Sequence, residues 1–116
     1  RVLRTTGQVQ TIAVMPENAG YMDGVDFEAR FRSPRGITVD GDYLYVADAG
    51  NNVLRRVNKH TGEVLTFSGK TGQSSFASGT KEEARYNNVV SIATSQDTPY
   101  LFFTDSVENA VGRVEK

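Results

Sequence analysis

The stretch YLYVADAGNNVLRRV, from Tyr43 to Val57, returns later in the chain as YLFFTDSVENAVGRV, from Tyr100 to Val114. The second copy keeps the opening Tyr-Leu, the Asp after the apolar run and the closing Arg-Val pair, at an offset of 57 residues (100 − 43). Upstream the match continues at an offset of 55, because the second copy carries two extra residues in SQDTPY where the first has DGDY. Self-similarity at a fixed period indicates a repeat architecture, so the 116-residue chain is predicted to hold two repeats of about 55 residues.

The segment that precedes each copy shares a glycine, an alanine and an aromatic residue. The aligned pairs are Gly24 with Gly79, Ala29 with Ala84, and Phe31 with Tyr86. The aromatic rings are predicted to fill the seam between neighbouring repeats, each burying about 150–250 Å². The alanines predict close packing at the same seam. A ligand-binding role for the aromatic residues is the alternative interpretation.

Within one repeat, four short runs are rich in Val, Ile, Thr, Tyr and Phe, the residues typical of strands. The runs are GITVD (36–40), YLYVAD (43–48), NVLRRVN (52–58) and EVLTFSG (63–69). Turn-forming Gly, Asn and Asp residues separate them. No sustained 3.6-residue period is present. Four sequential antiparallel strands, followed by a longer connection and then the same pattern again, predict an all-β fold built of β-propeller blades.

These residues resemble the NHL repeat. The similarity lies in F-x-S-P-R-G-I-T-V-D, L-Y-V-A-D-x-x-N-N-x-L-R-R-V and G-x-V-x-T, and in the linker G-Y-M-D-G-x-x-x-E-A-R-F, and it covers essentially the whole chain. The second copy departs from the pattern, since NVVS (88–91) replaces SPRG (33–36) and Gly112 replaces the first Arg of the Arg-Arg pair. NHL domains usually have six blades, so the resemblance implies that this chain is about a third of a ring.

The strands are predicted to divide unevenly between blades. Residues 36–69 supply four strands of a complete blade, residues 90–115 supply three strands of a further blade, and residues 8–14 supply the outer strand of a preceding or partner blade. We therefore expect the unit to be completed by other chain. That chain is either the remaining blades of a longer polypeptide or identical copies, of which three would close a six-bladed ring as a homotrimer. A first residue other than Met and a sequence that ends within a blade favour a fragment of a longer chain.

The bulk composition restricts the class of protein. The formal net charge is −1, which argues against a mainly electrostatic partner such as duplex DNA or an anionic membrane. No apolar run reaches the roughly 18 residues needed to span a bilayer. The chain has no cysteine and no Asn-x-Ser/Thr sequon, a combination more typical of cytosolic than of secreted proteins. The sequence does not establish the compartment.

Two charged positions recur in both repeats. Asp48 and Asp105 follow the second strand, and Arg56 and Arg113 lie in the third. The functional interpretations are a metal-binding or catalytic carboxylate and a phosphate-binding arginine. Recurrence favours a structural role, in which each Asp accepts backbone N–H bonds within its turn and each Arg binds a carboxylate or carbonyl oxygens of its own blade. Asp48 is the expected candidate partner of Arg56.

Other chemically active residues are scattered. The acidic loop residues Asp23, Asp26, Asp40 and Asp42 are predicted to form turns, although an axial divalent ion is the alternative. His60 is the only histidine, so the chain alone supplies no His₂ or His₃ metal site and no complete triad. No catalytic, cofactor-binding or metal-binding residue is predicted.

The composition and the resemblance together predict a non-enzymatic scaffold whose loop faces bind a protein partner, because function in such folds lies in the loops. One alternative is part of a metal-dependent hydrolase or lyase, which needs His and carboxylate groups from other blades. Another is RNA binding, which needs a basic face; Arg32, Arg35 and Arg55 are the residues that would have to gather there.

Overall fold

A computed structural model of the chain describes residues 30–70 and 83–116, together with Gly20, Asp23 and Gly24. These residues form a four-stranded antiparallel sheet in the order β1-β2-β3-β4 and a three-stranded antiparallel sheet in the order β5-β6-β7. The strands are β1 (Pro34–Asp40), β2 (Tyr43–Asp48), β3 (Val53–Asn58), β4 (Val64–Gly69), β5 (Val89–Ala93), β6 (Tyr100–Asp105) and β7 (Ala110–Glu115).

Strands that follow one another in the sequence are neighbours in each sheet. This simple up-and-down order confirms the predicted all-β, blade-type architecture. The predicted outer strand at residues 8–14 lies outside the described residues. No helix in the described part of the chain is long and apolar enough to cross a membrane.

The turns between strands use residues that tolerate a left-handed backbone. Gly41, between β1 and β2, has a φ of 60°. Asn52 ends the short 3₁₀ turn Ala49–Asn51 between β2 and β3, also with a φ of 60°, and Asn109 occupies the same place between β6 and β7 with a φ of 54°. Asn is one of the few side chains that adopt this region at low cost, so the repeated Asn sets the direction of the chain into β3 and β7.

The first strand of each sheet carries an irregularity at the same place. The register against the neighbouring strand shifts between Pro34 and Gly36 in β1, and between Val89 and Ser91 in β5. These positions are equivalent at the offset of 55, although their residues differ. The irregularity therefore belongs to the architecture of the blade and does not depend on Pro34.

The larger core lies between the two sheets. Side chains alternate across a strand, so every second residue of β2 and β3 faces the second sheet. Its members from the first sheet are Tyr45, Ala47 and Leu54, and from the second sheet and its preceding linker Ala84, Tyr86, Val89, Ile92, Leu101, Phe103 and Val114. Tyr86, only 1% exposed, and Ala84 therefore lie at the seam between the blades. A smaller cluster of Val46, Val57 and Val64, with Phe31 and Leu44 against it, occupies the other face of the first sheet.

Two polar contacts join β1 to residues that follow β5 and β7, and a third lies within the segment of the second sheet. The Thr94 backbone N–H donates to Thr38 Oγ1 at 3.2 Å. Lys116 Nζ donates to Asp40 Oδ2 at 2.6 Å and to the Ser95 carbonyl oxygen at 3.0 Å. Both Thr38 and Asp40 lie on the face of β1 that is turned toward the second sheet, as the two-residue period requires.

At Gly36 the backbone of β1 comes close to the backbone of β5. A Cβ atom built on Gly36 would lie 3.1 Å from Ser91 Cα and 3.2 Å from the Val90 carbonyl oxygen. These are backbone atoms, which cannot rotate aside. Gly36 is therefore a strand glycine whose role is to let another backbone come close.

We expect Gly36→Ala to lower the free energy of unfolding by about 1–3 kcal/mol, because the new methyl group overpacks the contact between β1 and β5. Urea unfolding followed by tyrosine fluorescence measures the change. Gly41→Asn is the matched control, since no atom lies within 4 Å of a Cβ at Gly41 and Asn tolerates its φ of 60°. Equal losses in the two variants would contradict the role assigned to Gly36.

Candidate functional site

The carboxylate of Asp48, at the end of β2, ties three segments of the first blade together. Its Oδ2 accepts hydrogen bonds from Arg55 Nη1 at 2.7 Å and from Asn51 Nδ2 at 2.8 Å. Its Oδ1 accepts the backbone N–H of Arg32 at 2.8 Å. The side chains of Asp48 and Arg55 are both fully buried, and a buried ion pair is favourable only when further hydrogen bonds offset the desolvation of both charges. The bonds from Asn51 and Arg32 meet that need.

Arg55 extends the same network into the linker that precedes the blade. Its Nη1 also donates to the Arg30 carbonyl oxygen at 2.8 Å, and its Nη2 donates to Asp23 Oδ1 at 2.9 Å. Its guanidinium lies over the Phe31 ring, 4.8 Å from the ring centroid. Asp23 in turn accepts from Thr66 Oγ1 on β4 at 3.0 Å. The planar fork of one arginine thus holds the linker against the sheet.

The linker is fixed to the first sheet at two further points. Asn51 Nδ2 donates to the Gly20 carbonyl oxygen at 2.7 Å. Gly24 pairs with Val64 on β4 through two backbone hydrogen bonds, of 3.0 and 2.6 Å. The aligned Gly79, like Ala29 and Asp26, lies outside the described residues, so only Gly24 of that repeated pair is placed.

Asp105 occupies the equivalent place at the end of β6 but uses backbone donors in place of an arginine. Its carboxylate is buried and accepts the N–H groups of Asn87, Asn88, Val107 and Glu108 at 2.8–3.2 Å. The bonds from Val107 and Glu108 close the turn between β6 and β7. Those from Asn87 and Asn88 hold the end of the preceding linker, as Asp48 holds the N–H of Arg32. In both blades one buried carboxylate joins a turn to a linker.

The second blade differs from the first at two paired positions, and the difference explains why it has no arginine equivalent to Arg55. Gly112 stands where the first blade has Arg55, and Phe103 stands where it has Val46, the residue directly opposite Arg55 in the strand pairing. The Phe103 ring lies over Gly112 and fills the space that a Cβ atom there would need. Tyr86, equivalent to Phe31, meets the Phe103 ring edge to face at 5.1 Å. An aromatic contact therefore takes the place of the arginine-to-ring contact.

The recurring arginines Arg56 and Arg113 face the opposite side of their strands. The Arg56 guanidinium lies 4.4 Å from the Tyr43 ring centroid, and that of Arg113 lies 4.3 Å from the Tyr100 centroid. The expected pairing of Arg56 with Asp48 is wrong, because Asp48 binds Arg55. The reason is strand parity: Arg55 lies opposite Val46, two residues from Asp48 on the same face, whereas Arg56 lies opposite Tyr45 on the other face.

The remaining charged candidates are held in separate contacts. Asp40 binds Lys116, and Asp42 lies 3.1 Å from His60 Nε2 at the surface. Among the described residues, no group of three His, Asp or Glu side chains comes close enough to share a metal ion. Asp23 and Asp48 both bind the guanidinium of Arg55, so the positive charge between these two carboxylates is an arginine side chain.

Comparison with known proteins connects this chain to a family. No family model matches it. Human NHL repeat-containing protein 2 is 32% identical over 68 residues, which is 59% of this chain, and the chicken (Gallus gallus) protein of the same name is 36% identical over 52 residues, or 45% of the chain. These similarities support an NHL-repeat assignment for the chain. It spans only 9% and 7% of the lengths of those two relatives.

Solved structures agree with the propeller fold. A Bacteroides thetaiotaomicron protein of unknown function aligns with 87% of this chain at a TM-score of 0.79 and 26% identity, over 26% of its own length. An auxiliary nutrient-binding protein from the same organism aligns with 90% of the segment at a TM-score of 0.77 and 24% identity, over 28% of its own length. These neighbours are of the propeller type, and they support the fold of the segment.

The exchange of Val46 and Arg55 for Phe103 and Gly112 predicts energetic coupling. We expect Gly112→Arg to be destabilising because it collides with the Phe103 ring, and Phe103→Val to be destabilising because it leaves a cavity. The double variant is expected to be more stable than the sum of the two losses by about 1–3 kcal/mol. A double-mutant cycle of urea unfolding measures this coupling.

Phe102→Val combined with Gly112→Arg is the matched control for this cycle. Phe102 is adjacent in sequence but faces the other side of β6, where it is 42% exposed, so its substitution is expected to be additive with Gly112→Arg. Additive losses for Phe103→Val and Gly112→Arg would show that the two positions do not compensate each other.

The buried Tyr86 hydroxyl predicts an alkaline limit to stability. Burial raises the pKa of Tyr86 above its ordinary value of 10.0, although its hydrogen bond with Ser68 Oγ at 2.8 Å acts in the other direction. Burial raises the pKa of Tyr45 as well. Because the folded state holds these protons more tightly than the unfolded chain, their contribution is fully present below the unfolded pKa and is lost as the pH rises through the folded pKa.

We therefore expect the free energy of unfolding to fall as the pH rises above the ordinary tyrosine pKa of 10.0. Tyr86→Phe removes one of the two ionising groups and should flatten that fall, and Tyr45→Phe should flatten it further in the double variant. Chemical denaturation across this pH range measures both slopes. An unchanged slope in Tyr86→Phe would show that its ionisation is not linked to folding.

Proposed function

We propose that this NHL segment is part of a non-enzymatic scaffold, which binds a protein partner through the loops at one end of its blades. The observation that carries the proposal is the pair of buried carboxylates, Asp48 and Asp105, that fix a turn and a linker end in each blade. Loops held in this way keep one arrangement before a partner arrives. Binding then loses less conformational entropy than it would with mobile loops.

The loops fixed by these two carboxylates lie at the same end of the two sheets. The Gly50 N–H donates to the Arg32 carbonyl oxygen at 2.9 Å in the first blade, and the Ser106 N–H donates to the Asn88 carbonyl oxygen at 3.0 Å in the second. We name this end the turn–linker surface. Its exposed residues are Arg32, Ser33, Pro34, Arg35, Gly50, Ser106, Val107, Glu108 and Asn109.

The composition of the turn–linker surface suits a protein partner. Val107 is 55% exposed at the tip of its turn, where the first blade has Gly50, and it offers an apolar contact. Arg32 and Arg35 lie on one blade and Glu108 on the other, so the surface carries both signs of charge. Mixed polar and apolar surface with arginine is typical of protein interfaces, whereas a uniform basic face would favour nucleic acid.

The charged side chains inside the blades support a scaffold over an enzyme. Asp48 and Arg55 form an ion pair with each other within one hydrogen-bond network, and the carboxylate of Asp105 accepts hydrogen bonds from four backbone N–H groups. Each of these groups stabilises the loop geometry. In this proposal the blades are the rigid support, and the turn–linker surface supplies specificity.

The proposal places the segment within a closed ring of blades. The remaining blades come either from a longer polypeptide or from identical copies, three of which complete the six blades that the NHL resemblance implies. In either case the ring makes the loops of neighbouring blades into one continuous surface, larger than two blades offer.

The test uses the full-length protein that contains the segment. A photo-crosslinking residue at Val107 is expected to give a discrete adduct with a protein partner, and the same residue at His60, which is exposed at the opposite end of the sheet, is expected to give none. Arg35→Glu combined with Val107→Asp should weaken binding of the identified partner about tenfold, a loss of about 1.4 kcal/mol. His60→Glu should leave the affinity unchanged.

Two results would contradict the scaffold proposal. One is a stoichiometric divalent ion in the full-length protein together with turnover that depends on it. The other is binding of single-stranded RNA with a steep dependence on salt concentration, measured by filter binding at two ionic strengths, because that dependence is the signature of phosphate contacts.

A further inference from the structure

Two arginine side chains, Arg32 and Arg35, are exposed at the turn–linker surface. Neither guanidinium makes a hydrogen bond, an ion pair or a ring contact with another residue in the part of the chain that the structure describes. The arginines of the strands differ in this respect, since Arg55 binds carboxylates and Arg56 and Arg113 lie over tyrosine rings. The surface therefore presents two positive charges that the described residues do not neutralise.

The backbone and the side chain of Arg32 are both held in place. Its N–H donates to Asp48 Oδ1 at 2.8 Å, and its carbonyl oxygen accepts the Gly50 N–H at 2.9 Å. Its side chain crosses Gly50 so closely that a Cβ atom there would lie 2.5 Å from Arg32 Cγ and 3.0 Å from Arg32 Cδ. The second blade has Val107 in place of Gly50 and Asn87 in place of Arg32. The small turn residue and the long basic side chain are thus exchanged together.

The backbone between the two arginines is strained at Ser33. Its φ of 50° lies in the left-handed region, which serine rarely adopts, and Pro34 directly follows it. In the second blade, Asn88 is equivalent to Ser33 and is not left-handed, although that blade makes the same carboxylate contact and the same register shift. The architecture of the blade therefore does not require the strain. Such strain persists only where surrounding contacts hold it, and it is concentrated at ligand-binding and switch sites.

Arg35 occupies the irregularity of β1. The register against β2 shifts around it, so Arg35 has no partner residue in that strand. An extra residue at such a position re-aims its side chain relative to the alternation of the strand. Its equivalent in the second blade is Val90. Both exposed arginines of the turn–linker surface therefore occur in the first blade alone.

We infer that Arg32 and Arg35 bind carboxylates of an acidic peptide segment of the protein partner, and that an apolar residue of the same segment packs on Val107. This inference rests on the proposed function and names the chemistry that its surface recognises. The planar guanidinium donates to both oxygens of a carboxylate, which makes arginine well suited to acidic side chains. Val107, 55% exposed on the neighbouring blade, supplies the apolar contact.

The charges around the two arginines favour an acidic peptide over a nucleic acid. Asp48 and Asp105 are buried, so the exposed acidic residue of the turn–linker surface is Glu108. It lies on the second blade, where its Oε2 accepts a hydrogen bond from Asn87 Nδ2 at 2.8 Å. A chain of phosphates that crossed both blades would meet this negative charge and be repelled. A peptide that is acidic over the first blade and apolar over the second meets no like charge.

The experiment selects random peptides displayed on phage against the full-length protein that contains the segment, with counter-selection against its Arg32→Gln/Arg35→Gln variant. The surviving peptides are expected to carry Asp or Glu residues beside an apolar residue. A synthetic copy of one such peptide should bind the unmodified protein about tenfold more tightly than the double variant, measured by fluorescence polarisation. Its analogue with Asn and Gln in place of the acidic residues should bind both proteins equally weakly, because the charge interaction is absent in either case. Val107→Ser should also weaken binding of the acidic peptide.

Lys59→Gln is the matched control, because it removes an exposed positive charge from the turn between β3 and β4 and should leave the affinity for the acidic peptide unchanged. Urea unfolding of each variant establishes that the substitutions leave the fold intact.

Three results would overturn the inference. The first is the recovery of no peptide after counter-selection, or of peptides without acidic residues. The second is an affinity for the acidic peptide that Val107→Ser leaves unchanged. The third is displacement of the acidic peptide by single-stranded RNA at lower concentrations than by the unlabelled peptide. A crosslink from Val107 to a protein partner would still support the scaffold in the first two cases. Acidic peptides that bind while Val107 gives no partner adduct would contradict the scaffold proposal and leave the arginine site standing.

Discussion

One buried carboxylate at the end of the second strand organises each blade. Asp48 and Asp105 both lie where a strand stops and a turn begins, and both accept hydrogen bonds from a turn and from the linker that arrives beside it. A carboxylate can accept about four hydrogen bonds, which is enough to satisfy donors from three segments at once. Replacing the carboxylate with an apolar side chain would leave those N–H groups buried without acceptors. The resulting loss of stability would affect the strand end, the turn and the linker at the same time. The turn geometry, the linker path and the start of the next sheet therefore depend on this group.

The two blades satisfy the same carboxylate in different ways. In the first, Arg55 supplies charge and reaches the linker through Arg30 and Asp23. In the second, four backbone N–H groups surround Asp105, and an aromatic pair of Tyr86 and Phe103 fills the volume left by the missing arginine side chain. The repeat thus conserves the position of the carboxylate and the filled volume while it exchanges an ion pair for ring packing. Buried ion pairs and well-packed apolar groups of similar volume are often close in net stability, which explains how one fold accommodates both.

The strands and their order could be predicted from the sequence, because the β-branched runs, the Asn and Gly turns and the repeat offset all point to one blade. The recurrence of Asp48 and Asp105 also indicated the turn, since a structural role repeats from blade to blade. The partner of Asp48 could not be found from recurrence, because Arg56 repeats and Arg55 does not. The parity of β2 against β3 identifies Arg55, but that requires the register, which a one-residue slip would reverse. The shift at Pro34–Gly36 and the contact of Gly36 with Ser91 depend on a second backbone that no local pattern reveals.

The packing of one sheet on the next affects the strand residues that lie beside the turns. The turn after β6 is held by Asp105, and Asp105 pairs with Ala110 while Thr104 pairs with Val111. Val111, which is 80% exposed on β7, is thus one residue pair away from the turn that carries Val107. Within the chain, the equivalent residue Leu54 is buried under the second sheet, next to the turn that Asp48 holds. A blade that covers Val111 therefore removes water from the face beneath the second turn, as the second sheet already does beneath the first. The packing of the second sheet on the first therefore buries the strand residue next to the turn that Asp48 holds, so stacking and the support of the loops are linked in this fold.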